Sequence, residues 1–153
     1  MHIDPEKAKA LPLRPIEADV ERGRLRFFAK ATGQRDPVYS DVEAARRAGH
    51  PDLPVPPTFF FSLELEDPDA FSFLSELDID MRRILHGEQS FTYHSLAYAG
   101  ETLVLRPSIA DVYTKKGGAL EFLVKRTEVT RPSGEPVAEA EFSLAISHPE
   151  VTA

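Results

Sequence analysis

The chain has 153 residues, 42% of them hydrophobic and 28% charged, which is ordinary for a folded protein and predicts a single domain over residues 1–153. Its net charge of −7 argues against a nucleic-acid partner, because nucleic-acid-binding domains usually carry a basic patch. The absence of cysteine excludes disulfides, thiolate metal sites and cysteine nucleophiles. No apolar run approaches the roughly 20 residues that cross a bilayer, and the charged N-terminus does not suit an export signal, so we expect a cytoplasmic protein without a membrane partner.

Short helices are predicted in the first third of the chain. A helix over about residues 5–10 is capped by Asp4 and has Pro at its first position. Asp19 is placed to cap a second helix over about residues 20–32, which has apolar residues at helical spacing. Gly33 ends this helix, because glycine enters the left-handed cap conformation at little cost.

Turn and cap signals follow directly. Asp36-Pro37 predicts a turn. Ser40 and Glu43 fit a capping box, in which the two residues satisfy each other's free backbone donors, and the helix that they begin ends at Gly49. Four prolines within residues 50–57 then predict a rigid, extended loop.

Residues 58–65 read TFFFSLEL, and their three adjacent phenylalanines need to be covered. Periodicity alone allows a buried helix or a buried strand here. We favour a helix, because the preceding prolines and Thr58 suit a helix start. Another short helix is predicted over about residues 69–77, after Pro68.

Beyond about residue 84 the apolar pattern changes from helical to alternating. Four strands are predicted, with a bulge or bend near Ser95 and hairpin turns at 116–118 and 131–134. They cover about residues 89–98, 103–113, 120–125 and 138–146. Helices followed by antiparallel strands predict an α+β fold, with one sheet face covered by the Phe-rich helix. Because exposed sheet edges are usually paired, we also expect at least a dimer.

Two segments together carry a family pattern. Residues 27–59 read FFAKATGQRDPVYSDVEAARRAGHPDLPVPPTF, and residues 84–103 read ILHGEQSFTYHSLAYAGETL. They resemble the MaoC-like (R)-specific enoyl thioester hydratase and 3-hydroxyacyl thioester dehydratase family, in particular its N-terminal, FAS1-like dehydratase type. The resemblance implies a hot-dog fold, in which an antiparallel sheet wraps around a long apolar helix. It also implies reversible addition of water to a trans-2-enoyl thioester.

Active members of that family carry the motif G-D-x-N-P-[aliphatic]-H, whose Asp and His handle the protons of the added water. Gly33 and Pro37-Val38 match this motif. Gln34 stands at the catalytic Asp, Asp36 at the Asn, and Tyr39 at the catalytic His. Glutamine has no titratable group, and phenols titrate far above neutral pH. The resemblance therefore implies that this chain does not hydrate enoyl thioesters by itself.

We expect the chain to be the degenerate acyl-binding subunit of an oligomer, either a homodimer or a heterodimer with a catalytic MaoC-like subunit. Two alternatives stay open. One is a non-catalytic acyl-thioester-binding module, and the other is a stand-alone hydratase with a rearranged site around His86. The expected ligand in each case is a thioester of CoA or of acyl carrier protein, and no cofactor is expected.

The resemblance and the residue chemistry together give a set of candidate site residues. The predicted substrate-binding residues are Gln34, Tyr39, Phe59 and Gln89. The candidates for catalysis are Asp36, Tyr39, His86 and Glu88. Asp36 also suits a plain turn and Tyr39 a packed aromatic, while in an extended strand His86 and Glu88 share a face and would form a substitute acid–base pair. We expect no metal site, because His86 and His94 have no third ligand at a supporting spacing.

Overall fold

A five-stranded antiparallel sheet forms one layer of the protein in a computed structural model that describes residues 2–151. The strands are β1 (Ile16–Asp19), β2 (Ile84–Tyr93), β3 (Thr102–Lys115), β4 (Leu120–Thr130) and β5 (Pro136–Ser147). They lie in the order β1-β3-β4-β5-β2, so that β1 and β2 are the two edges. The prediction of an α+β fold with at least four antiparallel strands is confirmed.

Short helices form the second layer. They are α1 (Pro5–Ala10), α2 (Arg22–Ala31), α3 (Val42–Arg47), α4 (Phe60–Glu64) and α5 (Ser72–Glu76). Single 3₁₀ turns lie at Pro37–Tyr39, Pro57–Phe59, Met81–Arg83 and Lys116–Gly118. Within residues 2–151, no helix is both long enough and apolar enough to span a membrane. The single-domain prediction extends over residues 1, 152 and 153, which lie outside the described residues, and it stays a prediction.

The side chains of β5 alternate between the two faces of the sheet and show which face is buried. Phe142 and Leu144 belong to the core, whereas Glu141 points to the opposite face and binds Arg126. This is the period of two that a strand imposes on its side chains. The inner face packs against the helices in two apolar clusters, one containing Leu25, Phe59, Leu63, Leu103 and Leu105, the other containing Phe73, Leu123, Phe142 and Ile146.

The apolar helix over the sheet is shorter than the resemblance implies. It consists of the 3₁₀ turn Pro57–Phe59 and the five residues of α4. After Glu64 the chain makes turns, in which the backbone N–H groups of Glu66 and Asp67 bind the carbonyls of Leu63 and Glu64. Pro68 disfavours helical geometry at the residue before it, so the helix cannot continue. The helix prediction for residues 58–65 is confirmed, with a 3₁₀ first turn and five α-helical residues.

The prediction that Asp19 caps a helix is wrong. Asp19 is the last residue of β1, where it pairs with Thr102 of β3 and accepts a 2.6 Å hydrogen bond from the Thr102 hydroxyl. The helix begins later, at Arg22, behind Glu21, whose side chain makes no capping bond. β1 was not predicted, because a strand of four residues is too short to show a clear alternation of apolar and polar residues.

The cap of α3 also differs from the prediction. Asp41, not Ser40, is the N-cap residue, and its carboxylate accepts from the Glu43 N–H at 2.9 Å. Ser40 instead ends the preceding 3₁₀ turn, since its N–H binds the Pro37 carbonyl. Two adjacent residues were both good caps, and the turn before the helix decided between them. The predicted cap of α1 by Asp4 is confirmed.

Strand β2 begins at Ile84, five residues before its predicted start, and ends at Tyr93. The register of its pairing with β5 shifts between His86 and Glu88, so that Gly87 forms a bulge. The chain then bends at His94 and Ser95, as predicted. This irregular edge strand determines where several candidate site residues point.

A buried ion pair joins α4 to β4. The ammonium of Lys125 lies 2.5 Å from Oε2 of Glu64, and both side chains are only 6% exposed. Lys125 lies opposite Phe142 in the sheet and therefore on the inner face. Its Nζ also lies over the rings of Phe73 and Phe142. Each charge therefore depends on the other for its compensation.

Replacing Lys125 by Met should lower the free energy of unfolding by about 3–5 kcal/mol, because Glu64 is then left buried without its counter-charge. The double variant Glu64→Leu with Lys125→Met should recover most of that loss, since it removes both charges. Urea denaturation followed by circular dichroism measures both values. Equal losses in the single and double variants would show that packing, not charge compensation, is what Lys125 supplies.

Candidate functional site

The loop after α2 uses two of the predicted site residues for its own backbone. Gly33 has a φ of +73°, which ends the helix and starts the loop. The side-chain carbonyl of Gln34 accepts the N–H of Asp36 at 3.1 Å, and the carboxylate of Asp36 accepts the N–H of Val38 at 3.1 Å. Both side chains belong to exposed residues. Asp36 is thus a turn-forming residue that caps the 3₁₀ turn Pro37–Tyr39.

Tyr39, at the end of that turn, lies at a cavity of about 370 Å³. The cavity is formed where the 3₁₀ turn before α4 meets the end of β2, and its lining is mostly apolar. The lining residues are Tyr39, Val55, Pro57, Phe60, Tyr93, His94, Ser95, Leu96 and Ala97. A cavity of this kind accommodates an apolar group of modest size with a few polar contacts at its wall.

Tyr93 closes one side of this cavity. Its hydroxyl donates a 2.8 Å hydrogen bond to the carbonyl of Pro57, and its ring lies 6.2 Å from that of Phe60. Burial raises the pKa of Tyr93 further above neutral pH, where the phenol is protonated and donates. The bond joins the end of β2 to the turn before α4, and both of its partners line the cavity.

His94 supplies an imidazole to the same cavity, and the sequence reasoning did not assign it there. Its Nε2 lies 3.1 Å from Oε2 of Glu139 on β5. Because a carboxylate only accepts, Nε2 carries the proton, and in the neutral imidazole Nδ1 is an acceptor. No motif marks this residue. Its position at the bend after Tyr93 was the one signal in the sequence, and pairing with β5 is what brings Glu139 beside it.

Phe59 and Gln89 lie elsewhere. Phe59 is buried in the core, with the ring of Phe28 against it at 5.3 Å and the guanidinium of Arg24 over it at 5.4 Å. Gln89 faces the inner side of the sheet and donates to the carbonyl of Glu141 at 3.1 Å. Of the predicted substrate-binding residues, the structure brings Tyr39 alone to the cavity beside Phe60; roles in substrate binding for the others stay predictions.

The expectation that His86 and Glu88 share a face is wrong. His86 lies opposite Leu144 and stacks on the ring of Phe61 at 5.7 Å, on the inner face. Glu88 lies opposite Ser143, on the outer face of the sheet. The bulge at Gly87 adds a residue between them and reverses the side-chain direction. They therefore do not form an acid–base pair.

A second cavity, of about 300 Å³, lies at the other end of α4 between the helical layer and the sheet. Glu64, Lys125 and Thr127 line it together with apolar residues. Oε1 of Glu64 and the hydroxyl of Thr127 are buried there without a hydrogen-bond partner in residues 2–151. Its lining is more polar than that of the cavity at Tyr39.

Comparison with known proteins identifies the family. The profile of the FAS1-like dehydratase domain region matches residues 7–140. The chain belongs to the FAS1-like dehydratase family. Its relatives include a UPF0336 protein of Saccharopolyspora erythraea, 37% identical over 82% of this chain and 80% of the relative. A UPF0336 protein of a Parafrankia species is 41% identical over 84% of each chain.

Solved structures with the same architecture include MaoC-like hot-dog dehydratases. A chain of the Mycobacterium tuberculosis HadBC (3R-hydroxyacyl-ACP dehydratase) complex matches 86% of this chain and 91% of its own length, with a TM-score of 0.70 and 29% identity. A chain of the ChsH1-ChsH2 complex of the same organism matches 94% of each chain with a TM-score of 0.76 and 24% identity, which supports the fold alone. The predicted hot-dog fold is confirmed.

Replacing Gly87 by Ala should lower the free energy of unfolding by about 1–3 kcal/mol. A Cβ at this position would lie 3.2 Å from the carbonyl oxygen of Ser143. The matched control is Gly23→Ala in α2, where a Cβ meets no atom within 4 Å. That change should stabilise the helix by roughly 0.5–1 kcal/mol. Thermal unfolding of both variants measures the contrast, and a neutral Gly87→Ala would show that the bulge has room for a side chain.

Proposed function

We propose that this chain is the acyl-binding subunit of a heteromeric hydratase or dehydratase that acts on trans-2-enoyl and 3-hydroxyacyl thioesters, with a partner chain supplying the catalytic Asp and His. One observation carries this proposal. In the loop at the family's motif, the side chains of Gln34 and Asp36 are engaged by the loop's own backbone, while Tyr39 contributes a phenol to an apolar cavity.

Hydration of an enoyl thioester needs a group that takes a proton from water and a group that returns one. A glutamine amide at position 34 can do neither. The cavity at Tyr39 nevertheless offers apolar walls from Val55, Phe60 and Leu96, which suit an acyl chain. Binding without complete acid–base machinery is the combination expected of a subunit that holds substrate for another.

The partner is proposed to pair at the free edge of β2. Among residues 2–151, this ten-residue strand ends the sheet and has no strand paired to its outer side. Leu85 and Tyr93 on this strand are 67% and 49% exposed, more than large apolar side chains usually are. The similar HadBC chain comes from a complex, which supports a related subunit as the partner.

The assay that tests this proposal is hydration of crotonyl-CoA, followed by the loss of absorbance of the enoyl thioester. The purified chain alone should give no rate above the uncatalysed reaction. The chain co-expressed with a MaoC-like subunit that carries G-D-x-N-P-x-H should be active. Efficient hydration by the chain alone would overturn the proposal. No activity with any such partner, together with thermal stabilisation by crotonyl-CoA, would favour the binding-module alternative.

A stand-alone hydratase is the second candidate function, and the pair of His94 and Glu139 beside Tyr39 is the observation that favours it. An imidazole with one nitrogen bound to a carboxylate can serve as a general base through the other. His86, around which a rearranged site was expected, does not have Glu88 on its face of the sheet. If the chain alone proves active, His94→Gln should remove that activity, whereas His86→Gln should leave most of it.

Placing a charge at the mouth of the Tyr39 cavity should weaken acyl-thioester binding. Leu96 is 56% exposed and lines this cavity, so Leu96→Glu puts a carboxylate against the acyl chain without burying it. We expect the dissociation constant for crotonyl-CoA to rise at least about tenfold, which is roughly 1.4 kcal/mol.

The matched control for this change is Leu65→Glu. Leu65 is 50% exposed but lies outside this cavity, so the same change in charge there should leave the dissociation constant unaltered. Isothermal titration calorimetry measures both variants. Equal weakening by the two changes would mean that net charge, rather than the cavity, governs binding.

A further inference from the structure

We propose that His2, His148 and Glu150 bind a divalent transition metal ion, for which Zn²⁺ is the test case. Each residue offers one ligand atom, and these three atoms lie within 4.8 Å of one another. Two imidazole nitrogens and one carboxylate oxygen form a ligand set that suits zinc, copper or nickel better than magnesium or calcium. The residues come from opposite ends of the described chain, so no local spacing in the sequence reveals them.

His148 is held in the orientation that a metal ligand needs. Its Nε2 lies 3.0 Å from Oε2 of Glu121, which is fully buried. Because that carboxylate can only accept, Nε2 carries the proton, and in the neutral imidazole the lone pair is on Nδ1. A carboxylate that fixes the tautomer and direction of a histidine in this way is the usual outer support of a metal-bound imidazole.

The other ring nitrogen of His148, Nδ1, lies on the side of Glu150 and makes no hydrogen bond within residues 2–151. His148 is only 6% exposed, and its Nδ1 is buried without a hydrogen-bond partner within residues 2–151. The nearest carboxylate oxygen, Oε1 of Glu150, lies 3.7 Å away, too far for a hydrogen bond. A buried acceptor without a donor is unfavourable, and a metal ion between Nδ1 and Glu150 would satisfy it.

Glu121 also fixes the segment that carries the second imidazole. Its Oε1 accepts the backbone N–H groups of His2 and Ile3, each at 3.1 Å. The His2 ring is thereby held against that of His148, with ring centroids 3.9 Å apart and an angle of 22° between the planes. Stacked rings do not aim their lone pairs at one point, so the exposed His2 ring has to turn when the ion binds.

The surroundings of the three ligands contain space for an ion and one competing positive charge. A cavity of about 330 Å³ borders His2 and His148, and it can hold the water that completes a four-coordinate zinc site. Arg83 opposes the ion, because its guanidinium lies 3.1 Å from Oε1 of Glu150. Zinc binding therefore displaces this exposed ion pair, which contributes little to stability by itself.

Such an ion would clamp the segment before α1 to the segment after β5. This cluster shares no lining residue with the cavity at Tyr39. The metal should therefore raise the stability of the chain without changing its affinity for acyl thioesters. That separation lets the metal proposal fail or succeed independently of the proposed function.

The test is equilibrium binding of ZnCl₂ to the full chain, without an affinity tag and after treatment with a chelator. We expect one ion per chain at micromolar zinc and a rise in melting temperature, with no rise in MgCl₂. His2→Gln and His148→Gln should each weaken zinc binding by at least about tenfold. His50→Gln, which changes a histidine that faces Tyr98 instead, should leave zinc binding unaltered.

His2→Gln is the decisive variant, because His2 is exposed and its replacement should not affect folding. His148→Gln removes a buried hydrogen bond and risks loss of the fold. A Co²⁺ titration adds a spectroscopic readout, because the visible absorption of cobalt reports coordination by the protein. No stoichiometric binding at micromolar zinc would overturn the proposal. Binding that is unchanged in His2→Gln would overturn it as well, since the ion would then lie elsewhere.

Discussion

The sheet has a wide apolar inner face, and the helix that lies on it is too short to cover that face. The 3₁₀ turn Pro57–Phe59 and α4 end before Pro68, where the backbone can no longer continue as a helix. Other segments fill part of the uncovered surface: α2 packs near Phe59, and α1 and α5 pack over the second apolar cluster. Gaps remain at both ends of α4. One is the cavity at Phe60, and the other is the cavity at Glu64.

The two gaps differ in chemistry because of what the strands place beneath them. Under the Phe60 end the lining is apolar and carries Tyr39 and His94 at its wall. At the Glu64 end, Lys125 of β4 points inward, and Glu64 supplies the counter-charge that its buried ammonium needs. Such a pair adds little net stability over an apolar replacement, but losing one partner leaves an uncompensated buried charge. The pair joins β4 to the helix whose other end borders the cavity at Tyr39.

Local signals in the sequence were sufficient for much of this fold. The alternation of β5, the Gly-containing hairpins and the cap at Asp4 depend on neighbours in the chain, and each was predicted. Features that depend on competition or register were not. Ser40 and Asp41 were equally suited to cap α3, and the preceding turn decided for Asp41. The bulge that turns Glu88 away from His86 is visible only once β2 is paired with β5.

The same distinction applies to the candidate site. The motif loop was located from its residues, but the engagement of Gln34 and Asp36 by the loop backbone appears only in three dimensions. Restoring Asp at position 34 would add a carboxylate to an exposed loop, whereas Tyr39 is the motif position that reaches the cavity. Under the proposed function, a catalytic pair for substrate in this cavity comes from outside the chain, across the edge of β2 that also carries Tyr93. The proposed division of binding and proton transfer between two subunits accounts both for the replaced motif residues and for the edge position of β2.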